Sequence, residues 1–136
     1  MGNTAKYDKY FYFRAVTDED NDDDQAASVM VPVNKITALE PNSAITNIRV
    51  WFESEANYAM VQDRVSLQNG YVDLTVTRGK LKEVMEAIVA AMNAGPHSDG
   101  VTVIADDVTT DFLGTTRPAT YIHPDITACS AVSFGY

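Results

Sequence analysis

One helical stripe set among β-prone segments constrains this chain more than any other feature. Leu81, Val84, Met85, Ile88, Ala91 and Met92 recur at the i, i+3, i+4, i+7 spacing of a buried helix face. The spacing predicts a helix over about 78–93. Thr77 is placed to cap its start, and Gly95 and Pro96 are placed to end it. With one helix and many strands, the stripe is expected to pack over a face of a sheet.

The strands come on both sides of that helix. Tyr7 to Val16 opens them, with the consecutive aromatics Tyr10, Phe11, Tyr12 and Phe13. Both faces of that strand read as apolar, so it is expected to be central or covered. Thr17 to Gln25 is an acidic tract expected to be a solvated loop. Val29–Val33 and Ile36–Leu39 follow, with Pro32 marking an edge or a bend. Ile45 to Phe52 alternates, Ile48, Val50 and Phe52 on one face and Asn47, Arg49 and Trp51 on the other. Val65 and Leu67, the turn pair Asn69-Gly70 and Tyr71 to Thr77 read as a hairpin. Beyond the helix come Val101–Ala105, with Asp106-Asp107 after it expected as an exposed turn, then Tyr121-Ile122 and Ile126–Phe134. In the last, Ile126, Ala128, Val132 and Phe134 alternate with Thr127, Cys129 and Ser133. Short turns between the strands before the helix predict antiparallel pairing among them. The expected fold is α+β: one domain spanning 1–136, a mainly antiparallel curled sheet or small β-barrel or sandwich, with one amphipathic helix on it.

Charge narrows the partners. Ten Lys and Arg against nineteen Asp and Glu give a net charge of -9. That disfavours a phosphate backbone and an anionic membrane surface, and it suits a basic protein partner. No nucleic acid and no membrane are therefore expected as partners. No apolar run reaches the ~18 residues of a membrane span. The start, Met1-Gly2-Asn3-Thr4-Ala5-Lys6, has no apolar core for a signal peptide. Cys129 is the one cysteine, so no intrachain disulfide and no cysteine metal cluster is available.

Catalytic patterns fail when tested. Counted from Asp18, a calcium loop would need Gly at its sixth position and Glu at its twelfth; Asp23 and Val29 stand there. Gly79-Lys80 ends like a phosphate loop, but Leu74 and Leu81 replace its required Gly and Ser or Thr. No Gly-x-Ser-x-Gly elbow occurs. Cys129 on an alternating strand reads as a small core residue rather than a nucleophile. No cofactor and no enzymatic activity are expected. His97-Ser98-Asp99 and His123-Pro124-Asp125 contain metal-ligating residue types, so His97, Asp99, His123 and Asp125 form an alternative metal-binding reading. Both triplets also stand beside proline, where Asp commonly accepts from nearby backbone. Interface candidates are Tyr10 and Tyr12 in the aromatic run, with Arg49 and Trp51 on the polar face of their strand.

Several segments together resemble small virion structural proteins of marine tailed phages, cyanophages included. They are Lys9-Tyr10-Phe11-Tyr12-Phe13-Arg14, the acidic tract, Val31-Pro32-Val33, Thr75-Val76-Thr77-Arg78-Gly79-Lys80 running into Glu83-Val84-Met85-Glu86-Ala87-Ile88, and Tyr121-Ile122-His123-Pro124-Asp125-Ile126. The resemblance spans nearly the whole chain. It implies a non-enzymatic capsid-decoration or minor capsid protein, assembled in the host cytoplasm into the virion. Its implied partner is the major capsid protein or another virion protein, with self-association. A tail, neck or adaptor ring component is the alternative within that class, and an intracellular binder of a basic host protein lies outside it. The resemblance carries no site residues with it.

Overall fold

The computed structural model describes residues 9–53, 69–94 and 100–133. Eight strands and one helix run in the order β1 (Tyr10–Arg14), β2 (Ser28–Pro32), β3 (Ile36–Pro41), β4 (Asn47–Glu53), β5 (Asn69–Val76), α1 (Leu81–Asn93), β6 (Val101–Asp106), β7 (Thr120–Tyr121) and β8 (Ile126–Ser133). They form two four-stranded sheets, β2-β1-β6-β7 and β3-β4-β5-β8. Neither closes into a barrel, so the α+β fold is sandwich-like, with one helix. The expected Val65–Leu67 strand lies outside the described residues, as do Gly95 and Pro96.

The sheets share one core because their strands alternate. Phe11, Phe13 and Val31 point inward from the first sheet. Ile48, Val50, Phe52, Val72, Leu74 and Val76 point inward from the second. Val84 and Ile88 of α1 join the same cluster, which places the helix against the inner, apolar side of β4. Each such side chain contributes roughly 1.5–3 kcal/mol by leaving water. β1 is central, between β2 and β6, as its two apolar faces imply, and Pro32 sits on the edge strand β2.

Four sequence expectations need correction. First, Asp106-Asp107 is no exposed turn: Asp106 ends β6 and both residues are buried. Pairing is mainly antiparallel, as expected, and among the described strands only β1 and β6 run parallel, Tyr10 opposite Val101 and Arg14 opposite Asp106. Parallel neighbours need a long crossover, which β2 through α1 supplies. Second, Asn69-Gly70 is no turn. Both residues belong to β5, and they pair with Glu53 and Phe52. A Cβ on Gly70 would stand 2.5 Å from the Phe52 ring and 2.9 Å from the Ser133 carbonyl oxygen, so close packing is what requires glycine here. Third, α1 starts at Leu81 with Lys80 in the cap position and no side-chain cap bond. Thr77 acts instead through its carbonyl, which accepts from the Lys80 N–H across a turn that needs Gly79 at φ 84°.

The fourth concerns β8. Its register against β5 slips twice, between Asp73 and Leu74 and between Thr75 and Val76. Each slip leaves one extra β8 residue, Ser130 and Thr127. Their hydroxyls donate to the β5 carbonyls of Asp73 and Thr75, both at 3.2 Å. The two bulges change the burial period from two to three, so Ile126, Cys129 and Val132 all enter the core.

Candidate interaction surfaces

The alternation that buries Phe11 and Phe13 sends Tyr10 and Tyr12 to the outer face of the first sheet. Register extends the row: Tyr10 stands opposite Pro32 and Val101, and Tyr12 opposite Met30 and Val103. Tyr10 is 38% and Met30 48% exposed. Two of the four sequence-picked interface residues therefore meet in one apolar row on rigid strands. Partial burial pushes the Tyr12 hydroxyl pKa up, and the Arg14 guanidinium stands 5.7 Å from its ring centre.

Arg14 ends that row and is itself buried. It binds Asp106 through two bonds of 2.9 Å, and its third nitrogen reaches Asp22 at 3.1 Å and Glu19 at 3.4 Å. Hydrogen bonding to Asp106 raises the guanidinium pKa further. The acidic tract, expected to be simply solvated, is thus anchored. Asp22 also accepts from the Ser28 hydroxyl at 2.7 Å, and the Asp18 carboxylate accepts from the Asp20 N–H of a 3-10 turn over Glu19–Asn21. Asp20, Asp23 and Asp24 remain exposed.

Arg49 and Trp51 occupy the outer face of the second sheet, away from Tyr10 and Tyr12. Since α1 lies on the inner side, the helix does not cover them. Arg49 is already engaged: it binds Asp73 at 2.8 and 3.0 Å and lies 3.6 Å from the Tyr71 ring centre and 5.2 Å from that of Trp51. The Trp51 indole donates to Glu40 at 2.7 Å and meets Tyr71 edge-on. Arg49 and Trp51 therefore form a satisfied cross-strand cluster, better suited to stiffening the sheet than to capturing a partner's charge.

Sequence reasoning missed two features. Asp107, just past β6, ties the sheets together. Its carboxylate accepts from the Tyr121 hydroxyl at 2.6 Å and from the Cys129 N–H of β8 at 2.9 Å. Burial raises the Asp107 carboxyl pKa against the lowering effect of those two bonds. Burial, and then Asp107 itself, raises the pKa of both Tyr121 and Cys129. Burial favours the protonated thiol, and Cys129 packs as a core residue. Asp106-Asp107 read only as an exposed turn, and no local pattern signals a carboxylate that bridges sheets.

The second missed feature is a projecting turn. Phe112 is 67% and Leu113 89% exposed. Gly114 N–H donates to the Asp111 carbonyl, and the Asp111 carboxylate accepts from the Leu113 and Thr115 N–H groups, all at 2.9 Å. The Phe112 N–H donates to Glu19 at 3.1 Å, joining this turn to the acidic tract. Asp followed three residues later by Gly was the available turn signal.

The metal alternative divides. His97 and Asp99 lie outside the described residues. His123 Nδ1 accepts from the Asp125 N–H at 3.0 Å, and the Asp125 carbonyl accepts from Thr77, which is turn chemistry. Among the described residues no group of three or more His, Cys, Asp or Glu is placed to hold a metal ion. Among them, too, no helix is long and apolar enough to cross a membrane. No family model, no curated protein and no solved structure matches the chain.

Proposed function

We propose that this chain is a non-catalytic structural protein of a tailed-phage particle, docking on the capsid lattice through the outer face of β2, β1 and β6. The observation that carries the reading is the half-exposed row of Tyr10, Tyr12, Met30 and Pro32 on paired strands. Aromatic and Met side chains are enriched at interface cores, and a row fixed on strands loses little conformational freedom on binding. The acidic tract, anchored beside it through Arg14, supplies a polar rim. The resemblance of the chain to small virion proteins of marine tailed phages supplies the partner class, the major capsid protein or a neighbour in the particle. The chain's place is then the virion, assembled in the host cytoplasm.

Cosedimentation of the purified chain with assembled capsids tests this. Y10S/M30S is expected to bind about tenfold or more weakly, since central aromatic anchors carry much of an interface's energy. Equal binding by Y10S/M30S places the contact elsewhere, and no binding by the unaltered chain removes the reading.

A further inference from the structure

The projecting turn and the distribution of charge point to a second contact, separate from the outer face of the first sheet. Phe112 and Leu113 stand at the tip of a turn held by its own hydrogen bonds, so they are presented in one fixed arrangement. Two carboxylates touch the turn: Asp111 closes it and Glu19 takes the Phe112 N–H, while the Asp18 backbone bridges Thr110 beside it. An apolar tip flanked by carboxylates fits a surface with an apolar spot beside cations.

The same chain carries such a surface. Arg78, Lys80 and Lys82 are exposed where β5 turns into α1. The Thr46 carbonyl accepts from the Val76 N–H at 2.9 Å, which brings Ile45, 47% exposed, to the same end of β5. Lys82 pairs with Glu86, and the remaining cations described are committed as well: Arg14 and Arg117 to Asp106, Arg49 to Asp73, Lys35 to Glu53, and Lys9 to the carbonyls of Met92 and Ala94. Among the described residues neither Arg78 nor Lys80 has a carboxylate in ion-pair reach. Among the described residues, the cations left uncommitted, Arg78 and Lys80, thus stand together on one patch of a chain whose net charge is -9.

We infer that the Phe112–Leu113 tip of one copy docks on the Arg78–Lys80–Ile45 patch of a second copy. Tip and patch are different surfaces, so the contact is head-to-tail, and it either closes into a ring or extends as a filament. Charge complementarity fixes the orientation, and the two apolar tip residues supply the anchor. This inference does not depend on capsid docking.

Sedimentation velocity of the purified chain tests it. The unaltered chain is expected to self-associate with rising concentration. The association weakens as salt rises from about 0.1 to about 1 M, where the screening length falls from about 10 to about 3 Å. F112S/L113S and R78E/K80E are each expected to lose about tenfold or more in self-association. Mixing the two restores a one-to-one pair, because one keeps an intact patch and the other an intact tip. Both variants alter exposed side chains, so their melting temperatures are expected to stay within about 2 °C of the unaltered chain; if F112S/L113S melts early, L113S alone carries the test. A monomer at every concentration into the hundreds of micromolar overturns the inference. So does self-association unchanged in either variant, or a mixture that stays monomeric.

Discussion

Replacing Arg14 by Met keeps an unbranched stem of similar reach in the same place and removes only the guanidinium. The structure then leaves Asp106 nearly as buried as before, with the Val108 N–H at 3.0 Å and the more exposed Arg117 at 3.6 Å as its remaining partners. Removing one member of a buried pair costs about 3–5 kcal/mol, because the other charge stays desolvated. For 136 residues the unfolding entropy near the midpoint is about 0.29 kcal/mol/K. Dividing the two gives a fall of about 10–17 °C in melting temperature. A domain of this size has only about 7–20 kcal/mol in all, so the loss is large. Scanning calorimetry measures it. R14M/D106L removes both charges and is expected to cost less than the sum of R14M and D106L, with about 1–3 kcal/mol of coupling. R14M also frees Asp22 and Glu19, so limited proteolysis is expected to cut within 18–24 sooner. An R14M melting temperature within about 2 °C of the unaltered chain would refute the claim that this ion pair holds the acidic tract and the first sheet together.

Three further outcomes follow from the same contacts. Gly70→Ala is expected to cost about 2 kcal/mol or more in chemical denaturation, because Phe52 and the Ser133 carbonyl leave no room for a Cβ; unchanged stability would contradict the close packing. Asp107 has a folded-state pKa above that of the unfolded chain, so the native state binds its proton more tightly. Stability relative to D107N is therefore expected to fall as pH rises from the ordinary carboxylate pKa through the raised one, and to level off above it; a difference that rises with pH over that window rejects the assignment. Cys129 is expected to react with a thiol reagent only as fast as the domain opens, and rapid labelling of the native chain would show that its burial is wrong.

Local alternation was legible wherever a strand stayed regular. Ile48, Val50 and Phe52 face the core and Arg49 and Trp51 face out, as their spacing requires. The helical stripe of α1 was legible for the same reason. What failed depended on contacts distant in sequence. Cys129 appeared to face away from Ile126 because two bulges, set by Ser130 and Thr127 hydroxyls reaching β5, cannot be seen within β8 alone. Asn69-Gly70 has the composition of a hairpin turn, yet Gly70 answers to the Phe52 ring on the neighbouring strand. The parallel pairing of β1 with β6 joins segments some ninety residues apart, and strand composition does not encode direction. At the candidate surfaces, Tyr10 and Tyr12 could be picked as aromatics, but only register places Met30 and Pro32 beside them. Arg49 looked available because its partner, Asp73, lies across a strand pair.

The central proposal is that this chain is a component of an assembled particle, which requires a tailed phage whose genome encodes it. Mass spectrometry of virions purified from a lysate of such a phage tests that directly. The account predicts its peptides at a fixed copy number relative to the major capsid protein, retained through gradient purification. Particles that contain every other structural protein and none of this chain would contradict it.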